Sequence, residues 1–185
     1  MTDALVIVDF QNDFTPGGAL AVPDGDAIAA PLARLVDRFD LVIATRDWHP
    51  PGHSSFSIWP VHCVQGTPGA ELHPTLDRSK VDVVLDKGDD ADSPGYSAFV
   101  DTGLAERLRG RGVDRLVVAG LATDYCVRAT VLDARAAGFD VVVVEDAIRG
   151  VDVEPGDSER AIAEMKAAGA VFASADEVER LLSTA

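Results

Sequence analysis

The sequence predicts an α/β protein of three layers, with helices on both faces of a central, mostly parallel sheet of about six strands. Short apolar runs rich in β-branched residues alternate with longer segments that carry apolar residues at helical spacing. These runs are apolar at nearly every position, as is typical of strands that a parallel sheet buries on both faces. No repeat or linker interrupts the pattern, so we expect a single domain over residues 1–185.

The first half of the chain contains three predicted strands and one predicted helix. The apolar runs LVIV, LVIAT and VDVVL predict strands over residues 5–8, 41–45 and 81–85. Apolar residues at helical spacing, among them Leu32 and Leu35, predict a helix over residues 26–39. Residues 47–80 lack a clear period and are rich in His, Pro, Gly and Trp. Because a loop of this length in a compact domain is usually functional, we expect site residues there.

The second half alternates regularly between strands and helices. Apolar runs such as LVVA and VVVV predict strands over residues 116–119, 141–145 and 170–172. Helical spacing predicts helices over residues 104–111, 124–137, 157–168 and 176–182. The first three helices are followed by Gly112, Gly138 and Gly169, and glycine is favoured just after a helix C-terminus. This alternation predicts parallel strands joined by helical crossovers.

The composition favours a globular protein that acts on a small molecule. Hydrophobic residues make up 47% of the chain, and the formal net charge is −15. An acidic surface repels phosphate backbones and anionic membranes, which argues against a nucleic-acid or membrane partner. The N-terminus lacks the pattern of a secretory signal and only two cysteines occur, so we expect a cytoplasmic protein. The composition leaves open whether the chain forms a homo-oligomer.

Reactive residue types follow the predicted strands at their carboxyl ends. Asp9 follows the first strand, Asp47 and His49 follow the second, Lys87 follows the third, and Cys126 comes shortly after the fourth. In open parallel sheets, ligands bind beyond the carboxyl ends of the strands. We therefore expect these side chains to meet at one edge of the sheet.

One carboxylate and three imidazoles lie close together in the sequence. Asp47, His49, His53 and His62 offer mixed oxygen and nitrogen ligands, which suit zinc, iron or manganese. The alternative is that these are solvated loop side chains. The chain has four histidines and three fall within this short segment, which favours a metal site. His73, beyond the cluster, is interpreted as structural.

Cys126 is the candidate nucleophile. It lies where a strand end turns into a predicted helix, and a thiol in the first turn of a helix has a lowered pKa. Asp9 is the candidate base and Lys87 the cation that orients and tunes it. The alternative is that Cys126 is a packed thiol, Asp9 a turn residue and Lys87 a solvated surface lysine. Each residue taken alone is weak evidence for a catalytic site. Cys63 has no helix start or acid partner and is interpreted as a packed thiol.

Five sequence blocks occur in a fixed order along the chain. They are VDFQNDF from residue 8 with PGGAL, TRDWHP from residue 45 with His53, WPVHCV from residue 59 with GTPGA, KG at residues 87–88 with YSAF, and GLATDYCV from residue 120. Together they resemble the nicotinamidases within the isochorismatase-like cysteine hydrolases. The resemblance covers most of the chain and implies the isochorismatase-like hydrolase fold.

The resemblance implies a role for each candidate near the nucleophile. Asp9, Lys87 and Cys126 would form the catalytic triad, and the backbone N–H groups of Ala122 and Cys126 would form the oxyanion hole. A cis peptide bond is implied between Leu121 and Ala122, where it would turn the Ala122 N–H toward the sulfur.

The resemblance also implies a metal site and a substrate pocket. One divalent metal ion is implied, for which we expect zinc, with iron and manganese as the alternatives. Its implied ligands are Asp47, His49, His53 and His62. Residues implied to enclose a pyridine ring are Phe14, Trp59 and Tyr96, with Tyr125 at a position where some family members carry histidine. Residues 89–95 have no counterpart that we can align.

The activity implied is hydrolysis of nicotinamide, or of a pyrazinamide-like amide, to the acid and ammonia through a cysteine thioester, in NAD salvage. A related cysteine hydrolase acting on another small amide or N-carbamoyl compound is the nearest alternative, and a vinyl-ether hydrolase a more distant one. Both typically lack the metal cluster. A metal-binding module without catalysis is the non-enzymatic alternative, and it would not need Asp9, Lys87 and Cys126 at adjoining strand ends.

Overall fold

The computed structural model describes residues 1–183 and contains a six-stranded sheet in which all paired strands are parallel. Its strands are β1 (Asp3–Val8), β2 (Val42–Asp47), β3 (Val83–Lys87), β4 (Arg115–Leu121), β5 (Asp140–Arg149) and β6 (Val171–Ala173). Their order across the sheet is β3-β2-β1-β4-β5-β6. The chain winds outward from β1 in one direction and from β4 in the other. The switch point of this doubly wound sheet therefore lies between β1 and β4.

Helices cover both faces of the sheet. They are α1 (Ala29–Leu35), α2 (Leu104–Gly110), α3 (Arg128–Ala136), α4 (Asp157–Ala167) and α5 (Ala175–Ser183). Leu5 and Ile7 of β1 pack in the core on the side of α1 and α5. Val6 and Val8, which point the other way, pack in the core on the side of α2, α3 and α4. The predicted three-layer arrangement is confirmed. Of the expected domain over residues 1–185, residues 184–185 lie outside the described part.

Two predicted helices differ from the observed ones. The predicted helix over residues 26–39 consists of a 3₁₀ turn (Gly25–Ile28), α1 and a second 3₁₀ turn (Val36–Arg38). Pro31 has no N–H to donate, which explains why α-helical bonding starts only beside it. The predicted helix over residues 124–137 begins with a π-helical turn (Thr123–Val127) before α3. This turn places Cys126 between the end of β4 and the first residue of α3.

The strands β2 and β3 extend further than the sequence predicts. Predicted to end at residues 45 and 85, they continue to Asp47 and Lys87, which are paired with each other across the two strands. The long segment over residues 47–80 contains single 3₁₀ turns at Ser54–Ser57, Pro68–Ala70 and Arg78–Lys80. Within residues 1–183, no helix is long and apolar enough to span a membrane.

Gly120 allows β1 and β4 to approach closely at the switch point. Its φ is +126°, and a Cβ there would lie 2.0 Å from the carbonyl oxygen of Val8. Any side chain at this position would have to push β4 away from β1. Glycine therefore brings together the carboxyl ends of the two strands that carry Asp9 and lead to Cys126.

Candidate active site

The structure brings Asp9, Lys87 and Cys126 together at the switch point. The Lys87 ammonium nitrogen lies 2.7 Å from Asp9 Oδ2 and 3.5 Å from the Cys126 sulfur. One carboxylate oxygen of Asp9, one of Asp47 and the Cys126 sulfur all lie within 4.8 Å of one another. The convergence that the strand ends predict is present in the structure.

Lys87 is a buried cation between two carboxylates. Its side chain is excluded from solvent, and its ammonium also lies 2.5 Å from Asp47 Oδ1 and donates to the Gly95 carbonyl at 2.9 Å. Burial alone would lower the lysine pKa, but Asp47 and Asp9 hold that pKa well above its ordinary value. Burial would likewise raise the pKa of Asp47, but Lys87 and His49 lower it to about 2. Lys87 and Asp47 are therefore both charged at neutral pH.

The two carboxylate oxygens of Asp9 differ in their surroundings. The Thr45 hydroxyl donates to Oδ1 at 2.7 Å, whereas Oδ2 makes no hydrogen bond and faces Lys87 as an ion pair. Among residues 1–183, Oδ2 is the one buried side-chain nitrogen or oxygen without a hydrogen-bond partner. Burial raises the pKa of Asp9, against the opposing effect of Lys87. Oδ2 is therefore the Asp9 oxygen that no hydrogen-bond donor occupies.

The thiol of Cys126 differs from the expectation drawn from its helix position. A helix start predicts a lowered pKa, but burial raises the pKa of this thiol well above its ordinary value, although Lys87 opposes the rise. The prediction of a lowered pKa is wrong for this structure because burial beside Asp9 and Asp47 outweighs the favourable charges. Burial therefore favours the neutral thiol over the thiolate at this position.

Asp47, His49 and His62 form a group that fits a divalent metal ion. Each offers one ligand atom, and the three atoms lie within 4.8 Å of one another. His49 Nδ1 lies 2.7 Å from the Gly88 carbonyl and His62 Nδ1 lies 2.7 Å from the Pro60 carbonyl. A carbonyl only accepts, so each Nδ1 carries the hydrogen and each Nε2 keeps a lone pair for a metal.

His53, the fourth predicted ligand, lies beside this group without joining it. Its ring stacks on the ring of His49 with centroids 4.0 Å apart. Its Nδ1 accepts from the Ser55 amide at 3.2 Å, and its Nε2 lies 2.9 Å from the Ser93 carbonyl. Its role as a ligand stays a prediction. His73 stacks on a core phenylalanine, in agreement with its structural interpretation.

Residues 89–95 link the lysine to the histidine segment. The carbonyl of Ala91 accepts from the Ser54 amide at 2.9 Å, while the carbonyls of Ser93 and Gly95 contact His53 and Lys87. These contacts are made by backbone oxygens, which every residue type has. The side-chain pattern of this stretch therefore gave no signal of its position.

Cys126 and the metal-ligand group line one cavity, which encloses about 470 Å³ of empty space, including its open mouth, whereas Asp9 and Lys87 are buried behind the sulfur. The four predicted ring-binding residues, Phe14, Trp59, Tyr96 and Tyr125, all line it. The Trp59 and Tyr125 rings meet edge to face at 5.1 Å, and Trp59 Nε1 donates to the Tyr96 hydroxyl at 3.3 Å. Lining residues that the sequence analysis missed are Leu20, Val22, Ser55, Pro94 and Val151.

Two further expectations concern Ala122 and Cys63. The peptide bond between Leu121 and Ala122 is cis, as the resemblance implies, and Ala122 lines the cavity. Cys63 is fully buried, its N–H donates to Asp13 Oδ2 at 2.7 Å, and burial raises the pKa of its thiol. Its interpretation as a packed thiol is confirmed.

The doubly wound sheet with a cavity at its switch point is an α/β architecture that binds ligands beyond the carboxyl ends of its strands. Residues 3–177 match the model of the Isochorismatase domain family, so the chain belongs to that family. The chain is 44% identical to the nicotinamidase of Escherichia coli across an alignment that covers 91% of this chain and 93% of the relative.

Solved structures agree with this assignment. The pyrazinamidase of Pyrococcus horikoshii in complex with zinc is 46% identical, with a TM-score of 0.87 over 94% of this chain and 99% of that one. The PnC1 protein of L. infantum in complex with nicotinate is 40% identical, with a TM-score of 0.90 over 95% of this chain and 93% of that one. The expected isochorismatase-like fold is confirmed.

Proposed function

We propose that this chain is a nicotinamidase, which hydrolyses nicotinamide to nicotinic acid and ammonia in NAD salvage. The observation that carries the proposal is that Cys126, which contacts the buried pair Lys87 and Asp9, lines one cavity together with a metal-ligand group and aromatic rings. The names of the relatives support it, since one is a nicotinamidase and a solved neighbour holds nicotinate. A neutral pyridine carboxamide also suits a protein of strong negative charge.

Asp9 is the general base and acid of the proposed mechanism. Its Oδ2 accepts the proton of Cys126, and the thiolate attacks the carboxamide carbon. The N–H groups of Ala122 and Cys126 stabilise the oxyanion. When the C–N bond breaks, Asp9 returns the proton to the nitrogen, and ammonia leaves a thioester on Cys126. A water molecule then attacks the thioester carbon while Asp9 takes up one of its protons, and nicotinic acid leaves as that proton returns to the sulfur.

The metal ion and the aromatic side chains of the cavity would orient the substrate. Asp47, His49 and His62, with His53 as the predicted fourth ligand, would hold one divalent ion, and the nitrogen and carboxylate donors favour zinc, as does the zinc in the pyrazinamidase neighbour. Once bound, the ion supplies a Lewis-acid contact for the pyridine nitrogen. The remaining wall is aromatic and would stack on or enclose the ring, and its members are Phe14, Trp59, Tyr96 and Tyr125.

Removal of the metal tests the proposed function directly. The purified protein should release ammonia from nicotinamide, and a chelator should lower that rate about a hundredfold or more, because substrate orientation has a large effect on rate. Zinc should restore the rate. His62→Ala should lower both the metal content and the rate, whereas His73→Ala, outside the group, should change neither.

Two outcomes would contradict parts of the proposal. One is full turnover of nicotinamide by protein shown to be free of metal, which would contradict the role given to the ion and leave the nicotinamidase activity standing. The other is release of ammonia from an N-carbamoyl amine and none from nicotinamide, which would favour the nearest alternative activity. Measuring the metal content of His53→Ala decides separately whether His53 is a ligand.

Thr45 should matter to the rate because it orients the carboxylate of Asp9. In Thr45→Val, Oδ1 loses its donor, so the carboxylate can turn away from Cys126. We expect kcat for nicotinamide to fall about tenfold or more with little change in KM. Thr45→Ser keeps the hydroxyl and should recover most of the rate. Thr130→Val, which removes another buried hydroxyl that contacts the Ala98 amide, serves as the control. An equal loss in Thr45→Val and Thr130→Val would mean a general effect on packing.

A further inference from the structure

Asp124 connects the nucleophile turn to the wall of the cavity. Its Oδ1 accepts from the Val151 amide at 2.9 Å and its Oδ2 accepts from the Asp152 amide at 2.8 Å. An aspartate at a helix start commonly caps the helix, but the residue before the turn at Thr123–Val127 is Ala122, and the turn has no side-chain cap hydrogen bond. Both carboxylate oxygens instead accept hydrogen bonds from backbone amides of the segment over residues 150–152, which we call the wall loop.

The wall loop has a second anchor on α4. Asp152 accepts from the Ser158 amide at 2.8 Å and from the Ser158 hydroxyl at 2.7 Å. Gly150 leaves room for this contact, because a Cβ there would lie 1.8 Å from the Ser158 hydroxyl oxygen. The wall loop is therefore held on one side by the nucleophile turn and on the other by the start of α4.

Val151 is the part of the wall loop that reaches the substrate cavity. Its side chain lines the cavity and packs against the core residues on the side of α1 and α5. Tyr125 and Cys126, which follow Asp124 directly, line the same cavity. Hydrogen bonds to a carboxylate are stronger than those between neutral groups, so Asp124 fixes the distance between the nucleophile and Val151.

We propose that Asp124 is a positioning residue that holds Val151 against the cavity and so limits the size of the ring that the site accepts. This inference rests on the proposed function, in which the acyl group of the substrate carries an aromatic ring. Asp124 itself does not line the cavity, and it acts only through the wall loop. Asparagine at this position keeps one oxygen acceptor but replaces the other with an NH₂ group. Since an NH₂ group cannot accept from a backbone N–H, one of the two hydrogen bonds to the wall loop should be lost.

Hydrogen exchange tests the anchoring without any substrate. In Asp124→Asn, exchange of the Val151 and Asp152 amides should become about tenfold faster or more, while β1 amides in the same sample report global stability. Asp146→Asn is the matched control, because Asp146 Oδ1 accepts a backbone N–H from Ala175, away from the cavity. Unchanged exchange at Val151 and Asp152 in Asp124→Asn would overturn the proposal, whether or not the chain hydrolyses nicotinamide.

Substrate selectivity tests the consequence for ring size. Asp124→Asn should raise KM for nicotinamide about fivefold or more with a much smaller change in kcat. Relative to nicotinamide, kcat/KM for the bicyclic quinoline-3-carboxamide should rise about tenfold. Val151→Ala, which shortens the wall itself, should shift the selectivity in the same direction, and Asp146→Asn should not. A selectivity in Asp124→Asn equal to that of the unaltered protein would overturn the proposal. Failure of the unaltered protein to hydrolyse nicotinamide would contradict only the proposed function.

Discussion

Replacing Cys126 with alanine should abolish amide hydrolysis and leave the fold intact. The thiolate is the nucleophile of the proposed mechanism, so its loss should lower kcat for nicotinamide by at least about ten-thousand-fold. The side chain is small and alanine is apolar, so the free energy of unfolding should change by no more than about 1–2 kcal/mol. Ammonia release measures the first effect and denaturant unfolding the second.

Cys63→Ala is the matched control for this experiment. Both cysteines are buried, but Cys63 contacts Asp13 through its backbone and does not line the cavity. Cys63→Ala should therefore keep most of the activity, and alkylation of the unaltered protein should label Cys126 first. Substantial turnover by Cys126→Ala would rule out a covalent intermediate on this sulfur.

Replacing Lys87 with methionine should affect both stability and the reactivity of the thiol. Methionine has a similar length but leaves Asp9 and Asp47 buried together without a cation, which should cost about 3–5 kcal/mol of unfolding free energy. The Lys87 ammonium favours the thiolate form of Cys126, so its loss should move the pH midpoint of alkylation upward by about one pH unit or more. Turnover of nicotinamide should fall to background.

Two further variants separate charge from packing in the Lys87 experiment. Lys80→Met removes the exposed ion pair with Asp37 and should have little effect on stability or alkylation. Combining Lys87→Met with Asp47→Asn removes one uncompensated carboxylate and should recover part of the stability without activity. An unchanged alkylation profile in Lys87→Met would place the lysine outside the reaction.

The sheet and the converging residues could be predicted from sequence for one physical reason. Strands buried on both faces are apolar almost throughout, so each polar residue that ends such a run marks a carboxyl end of the sheet. Asp9 and Lys87 were found in this way. Parallel pairing then requires these ends to meet at one edge, which needs no knowledge of the side-chain contacts.

Contacts between distant segments could not be predicted in this way. Asp124 has the local signature of a helix cap, and only the folded chain shows that the Val151 and Asp152 amides are its donors. The pKa of Cys126 was expected to fall because its local position favours the thiolate. Burial by segments far away in sequence reverses that direction. The residues next to Cys126 in the sequence do not show how deeply distant parts of the chain bury the thiol, and this burial decides the direction of its pKa shift.

Lys87 contacts both the proposed nucleophile Cys126 and Asp47 of the metal-ligand group, and this sharing limits how the protein can evolve. A lineage that no longer needed the reaction could lose Cys126 in a single mutation at little cost. The same lineage could not lose the lysine alone, because two interior carboxylates would then face each other. Loss of the whole cluster therefore requires several substitutions one after another. In some orders, an intermediate protein would fold poorly. We expect descendants that have abandoned catalysis to lose the thiol first and the lysine last.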